Sequence, residues 1–169
     1  LRHELGYPIG LVPASLGGSP VAQWDRTVDG RLFENMLRYV NDCGSVAAGA
    51  VWYQGESDTG AGQRQVYKER FANFVKDLRQ EMGNPDFPVI TTQLNRYIGE
   101  DTGKPVHANW EAMREIQRQL SHEIEGVYVF PIFEAALSDG IHNDSRGNLL
   151  IAQRAANIAL GAVYGRDIN

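Results

Sequence analysis

Asp139 and His142 stand three residues apart in the stretch LSDGIHNDSRGN, a polar segment rich in Gly and Asn near the end of the chain. A histidine that takes a proton from a hydroxyl needs its other ring nitrogen held by an acceptor. A carboxylate does the holding and also stabilises the imidazolium that forms. A three-residue spacing brings two such side chains together at a tight turn or in a first helical turn. The same spacing also suits Asp139 as the cap of a C-terminal helix, with His142 an ordinary loop residue. His3, His107 and His122 lie in no comparable loop and read as surface residues.

Two further stretches carry groups suited to a developing negative charge. In SLGGSP, the adjacent Gly17 and Gly18 let backbone N–H groups point into open space, as an anion or an oxyanion requires, or form a plain turn. In VWYQGESD, the amide of Gln54 could donate to an oxyanion, and Glu56 could act as a base, an organiser of hydrogen bonds or a metal ligand. The metal reading is weak, because His142 is the one plausible nitrogen ligand and no ligand spacing recurs. No GxxxxGK[ST] phosphate loop occurs, and no organic cofactor is called for.

These loops need elements to carry them. Apolar runs at 9–12, 46–53, 89–94 and 127–132 read as buried strands. Helical periodicity covers 65–82, with Val66, Phe71, Phe74, Val75 and Leu78 on one face and a stop at Gly83-Asn84-Pro85. It recurs at 109–123, with Trp110, Met113, Ile116, Gln117 and Leu120 along a stripe, at 148–164, and more briefly at 32–41. Strands alternating with helices imply βαβ units, a parallel sheet and one α/β domain over 1–169. In such sheets function collects at the carboxyl ends of the strands, where all three polar loops would lie.

The chain of 169 residues carries a net charge of −5 with its basic residues scattered, so nucleic acid is not an expected partner. No apolar run reaches the roughly 20 residues of a membrane helix. The single Cys43 excludes an internal disulfide and any CxxC metal site.

The order SLGGSPVAQW, VWYQGESD, PVITTQLN, WEAMREIQRQL and DGIH resembles the sialate O-acetylesterase and acetylxylan-esterase-like branch of the SGNH hydrolases, over nearly the whole chain. The resemblance implies a three-layer flavodoxin-like fold and a carbohydrate esterase that acts on an acetylated sugar through a Ser-His-Asp triad. Asp139 and His142 would belong to that triad. Gly17 or Gly18, with the Gln54 amide, would form the oxyanion hole, and Glu56 would support it. A secreted or periplasmic setting is also implied. In the family the nucleophile lies in a GQS-type motif directly after the first strand. Here the one Gly-Gln pair, Gly62-Gln63, is followed by Arg64, and the chain opens Leu-Arg-His without Met. The expectation is therefore a chain whose first strand and nucleophilic serine lie upstream of Leu1, inactive and poorly stable alone. Ser19 and Ser57 are the in-chain serines best placed to substitute. Trp24, Trp52, Tyr53 and Trp110 could stack on a sugar, although core packing suits Trp52 and Trp110 better. Two readings from other classes remain: a carbohydrate-binding or scaffold module that lost the nucleophile, and a flavodoxin-like nucleotide or response-regulator domain, disfavoured by the missing phosphate loop.

Overall fold

A computed structural model describes residues 1–101 and 103–166. Three parallel strands form one sheet, in the order β1 (Ala50–Trp52), β2 (Val89–Thr92) and β3 (Val127–Phe130). The register pairs Trp52 with Thr91 and Thr92 with Phe130. Parallel neighbours need long crossovers. Helix α3 (Ala61–Glu81) joins β1 to β2, and α4 (Val106–Glu123) joins β2 to β3. A short α1 (Arg2–Leu5) and α2 (Arg31–Asp42) precede the sheet, and α5 (Ser145–Ala162) follows it.

Alternation along the strands decides which helix covers which face. Trp52, Val89 and Val127 point into a core built with Phe33 and Leu37 of α2, Phe71, Phe74 and Leu78 of α3, and Met113 and Leu120 of α4. Ile90 and Phe130 point the other way, against Ala155 and Ala159 of α5. Helices therefore lie on both faces, giving the three-layer α/β architecture expected. On α3 the fully buried position is Tyr67, not Val66, because the stripe follows the 3.6-residue period rather than hydropathy alone.

The strand expected at 9–12 does not form. That segment pairs with no strand, and Leu11 is 86% exposed. An apolar run becomes a strand only where a neighbour takes up its backbone hydrogen bonds, and no described strand lies beside it. The second strand is shorter than expected, since the chain turns at Gly44 and Ser45, both at positive φ, and pairing begins only at Ala50. β1 is an edge strand whose Val51, on the α5 side, is 66% exposed.

Four aromatic rings anchor the α2–α3 side. Phe74 lies 4.5 Å from Trp52, 5.9 Å from Phe33 and 6.3 Å from Trp24 between ring centroids. Trp24, Trp52 and Trp110 are thus core residues and form no sugar-stacking wall. Phe74→Ala should destabilise the fold by about 3–5 kcal/mol through lost burial and a residual cavity. Denaturant unfolding of the variant checks this, and a loss below about 1 kcal/mol would show that the rings do not carry this face.

Candidate active site

The Asp139–His142 loop is a tight antiparallel turn. Leu137 bridges Asn143, and the Ser138 N–H donates to the His142 carbonyl at 2.8 Å. Asp139 Oδ1 accepts from the N–H groups of Ile141 (2.9 Å) and His142 (2.8 Å), while its Oδ2 lies 2.8 Å from His142 Nδ1. A carboxylate only accepts, so Nδ1 carries the proton and Nε2 presents its lone pair outward. Among the described residues no hydroxyl is hydrogen-bonded to Nε2, and the His142 side chain is 71% exposed. The two backbone N–H groups and the imidazole hold the Asp139 carboxyl down to about 2. Capping of α5 falls instead to Asp144, whose Oδ1 accepts from Gly147 N–H at 2.7 Å.

At the end of β1 the chain turns at Gly55 (φ 142°) into a single 3-10 turn, Glu56–Asp58. Burial pushes the Glu56 carboxyl up, opposed by its own backbone N–H and by the nearby His142. Glu56 is thus close enough to His142 for the two to interact electrostatically. Burial, and then Glu56, push the Tyr53 phenol up to about 12.

Gln54 is not presented as an oxyanion donor. Its Nε2 donates to the Ser19 carbonyl at 2.9 Å and to Asp58 Oδ2 at 2.6 Å, which uses both amide hydrogens. Asp58 Oδ2 also accepts from Val21 N–H at 2.8 Å, so a buried carboxylate turns Gln54 inward and draws the Ser19 loop to the β1 exit. Gly17 and Gly18 stand exposed at the tip of that loop, with Gly18 at φ 72° and its carbonyl accepting from Ser57 Oγ at 2.9 Å. Ser57 is therefore tied to the loop. Ser19 is nearly buried, donating to the Leu16 carbonyl at 2.8 Å and accepting from Trp24 Nε1 at 3.1 Å.

Sequence reasoning missed the amides that hold these parts together. Asn95, just past β2, donates through Nδ2 to the Ala135 carbonyl (3.0 Å) and to Asn143 Oδ1 (2.7 Å). Asn143 Nδ2 in turn donates to the Tyr53 hydroxyl at 2.9 Å. Gln117, placed on the apolar stripe of α4, is fully buried and bonds both strand exits. The available signal was an amide directly after a strand, as in TTQLN. Among the described residues no cluster of three His, Cys, Asp or Glu side chains could hold a metal, and no helix is long and apolar enough to cross a membrane. A groove of about 490 Å³ lined by Val75, Arg79, Gly83 and Ile124 lies at the opposite, amino edge of the sheet, away from this chemistry.

A His–Asp pair thus lies beyond the carboxyl ends of a parallel α/β sheet, and the comparisons with known proteins give the family. The family model described as a carbohydrate esterase, sialic acid-specific acetylesterase, matches residues 1–161, and the chain belongs to that family. It is 33% identical over 90 residues to a probable carbohydrate esterase of Arabidopsis thaliana, covering 51% of this chain and 34% of the relative. The solved structure of that Arabidopsis protein superposes with a TM-score of 0.81 at 24% identity, over 96% of this chain and 65% of the other. A carbohydrate acetylesterase from Xanthomonas citri superposes with a TM-score of 0.81 at 26% identity, over 98% of this chain and 39% of the other. The chain thus spans about a third of the length of its curated relative, and less than two thirds of each solved chain.

The Asp139 geometry has a consequence for pH. A free aspartate titrates near 4, so a carboxyl held at about 2 contributes stability that is present above pH ~4 and is lost as pH falls towards 2. Asp139→Ala should therefore destabilise the chain at pH 6, with the difference shrinking between pH 5 and 3 in urea unfolding. An effect that stays constant across that range would mean the carboxylate is not held by this turn.

Proposed function

We propose that this chain supplies the His–Asp half of a serine acetylesterase acting on O-acetylated sugars of sialic acid or xylan type. The observation that carries the reading is the His142 ring, fixed by Asp139 through Nδ1 with Nε2 directed into the open. The nucleophilic serine is proposed to lie outside residues 1–169, on a strand laid against the free edge of β1. Three features support that placement: the unpaired edge with exposed Val51, the commitment of Ser19 and Ser57 to other partners, and the unpartnered Nε2.

In the proposed reaction the serine Oγ attacks the acetyl carbonyl carbon while His142 Nε2 takes its proton. Asp139 holds the tautomer and stabilises the imidazolium. Collapse of the tetrahedral intermediate breaks the bond to the sugar oxygen, which leaves with the proton from His142. Water, deprotonated by the same nitrogen, then attacks the acetyl-serine and releases acetate. The N–H groups of Gly17 and Gly18 are the proposed oxyanion donors, each worth about 3 kcal/mol of barrier. Glu56 supports this hole from the β1 exit. Gln54 contributes by tying the glycine loop to that exit.

The test uses the full-length protein with 4-nitrophenyl acetate. His142→Ala should lower turnover by about 10⁴-fold or more, and Asp139→Asn by about 10³–10⁴-fold, with the fold retained by circular dichroism. A fluorophosphonate probe should label a serine outside residues 1–169 in a His142-dependent manner. Labelling of Ser19 or Ser57 would overturn the placement of the nucleophile. Binding of acetylated sugar without any His142-dependent turnover would overturn the esterase reading.

A further inference from the structure

Beyond Trp52 and Thr91 the ladder between β1 and β2 stops, yet both strand exits continue into the site. Gln117 fills the gap. Its Nε2 donates to the Gln54 carbonyl at 2.9 Å, and its Oε1 accepts from Leu94 N–H at 2.7 Å. The side-chain amide therefore stands in for a peptide unit between the two strands, in a position with no access to water. It also sits where Gly55 has no side chain: a Cβ there would come within 2.5 Å of Gln117 Nε2. The next residue, Asn95, passes the connection to Asn143 at 2.7 Å, and Asn143 passes it to the Tyr53 hydroxyl at 2.9 Å. Tyr53 adjoins Gln54, so the hydrogen bonds close a ring through Gln54, Gln117, Leu94-Asn95, Asn143 and Tyr53. Asn143 adjoins His142, and Gln54 stands two residues before Glu56.

We infer that Gln117 is a positioning residue that sets the separation between the His142 turn and the Gly55–Glu56 turn, acting through this closed ring of amides. The inference rests on the esterase reading for its effect on turnover, but not for its effect on the turns themselves. Water cannot replace the missing bonds at a fully buried site: the Gln54 carbonyl would keep only the Tyr67 hydroxyl, at 3.2 Å, and the Leu94 N–H, losing its Gln117 acceptor, would keep its full desolvation cost. Loss of either Gln117 bond therefore lets the β1 exit shift relative to the hairpin that carries the histidine. The two faces of the crevice then no longer meet the reacting atoms in one geometry, and small misplacements lower turnover while leaving binding almost intact.

The experiment compares Gln117→Met, Gln117→Glu and Tyr53→Phe with wild type in the full-length protein, well below each melting temperature. Gln117→Met keeps the volume and removes both bonds. It should lower kcat on 4-nitrophenyl acetate at least tenfold with KM within about threefold. Gln117→Glu restores both bonds only when its carboxyl is neutral, so its kcat relative to wild type should rise as pH falls. It also carries the test alone if Gln117→Met does not fold. Tyr53→Phe opens the same ring elsewhere, so combining it with a Gln117 variant should cost less than the product of the separate losses. A lower Tm with kcat within twofold of wild type and a flat Gln117→Glu ratio would make Gln117 merely structural and overturn the inference. Amide hydrogen exchange separates this outcome from failure of the esterase reading. Gln117→Met should speed exchange at Leu94 and at Asp58, whose N–H donates to Gly55, at least tenfold relative to the β2 interior. Unchanged exchange overturns the ring whether or not the protein hydrolyses esters, whereas wild-type protein with no His142-dependent turnover overturns the esterase reading alone.

Discussion

Where a parallel ladder ends, the peptide groups beyond it must still find partners, and in this chain they find buried side-chain amides and carboxylates instead of water. Gln117 takes the Gln54 carbonyl and the Leu94 N–H, Asn95 takes the Ala135 carbonyl, and Asp58 takes the Val21 N–H. Each partner belongs to a different element, so satisfying one strand exit fixes where another loop lies. The three polar loops converge because the backbone groups at the carboxyl edge cannot be left unpaired. A buried polar atom is costly when unmet and directional when met. That pairing is why a sheet of only three strands can position so many separate segments.

The same network explains the division of labour among the acidic groups. Asp58 is inside, bonded to Gln54 and Val21, and burial raises its carboxyl from its ordinary value. Its work is structural: it draws the glycine loop onto the β1 exit. Asp139 is largely outside, and backbone N–H donors and the imidazole hold its carboxyl low. It remains an anion at any physiological pH. Glu56 lies between these extremes, its carboxyl raised by burial and lowered by His142. Three carboxyl groups on loops at the carboxyl edge thus differ through their surroundings alone.

The α/β layering and the Asp–His pair were legible in the sequence because each rests on local pattern. Helices repeat every 3.6 residues, β2 is buried on both faces and β3 at both its ends, and Asp139 can reach His142 within one turn. The segment at 9–12 misled because apolarity says nothing about the presence of a neighbouring strand. Gln54 misled for a related reason. Its place after β1 was read correctly, but Asp58 four residues on offers a buried acceptor, and that contact depends on how the turn at Gly55 folds. Gln117 was read as part of a helical stripe, which it is. Its meaning lies in two partners at positions 54 and 94, a tertiary relation with no periodicity to reveal it. Trp52 and Trp110 were better read as core, because a large ring on a buried strand or helix face has more to gain from packing than from solvent.

The Asp139–His142 pair is well formed yet open to water, and these properties pull against each other. Its geometry is largely local: the turn closes on its own backbone bonds, and Ile98, Asn95 and Tyr53 anchor it. Its chemistry is not local, because charge developing near an exposed imidazole is screened by solvent, and donors aimed at an oxyanion are worth most where water is excluded. A strand laid along β1, as proposed, would act on both counts. It would satisfy the free backbone groups of that edge and cover Val51, and it would bring its own carboxyl end to the rim from which the Gly55–Glu56 turn emerges. On that proposal the free edge of β1 and the exposed imidazole of His142 are covered by one element, since the end of a strand beside β1 emerges at the same rim as the end of β1 itself.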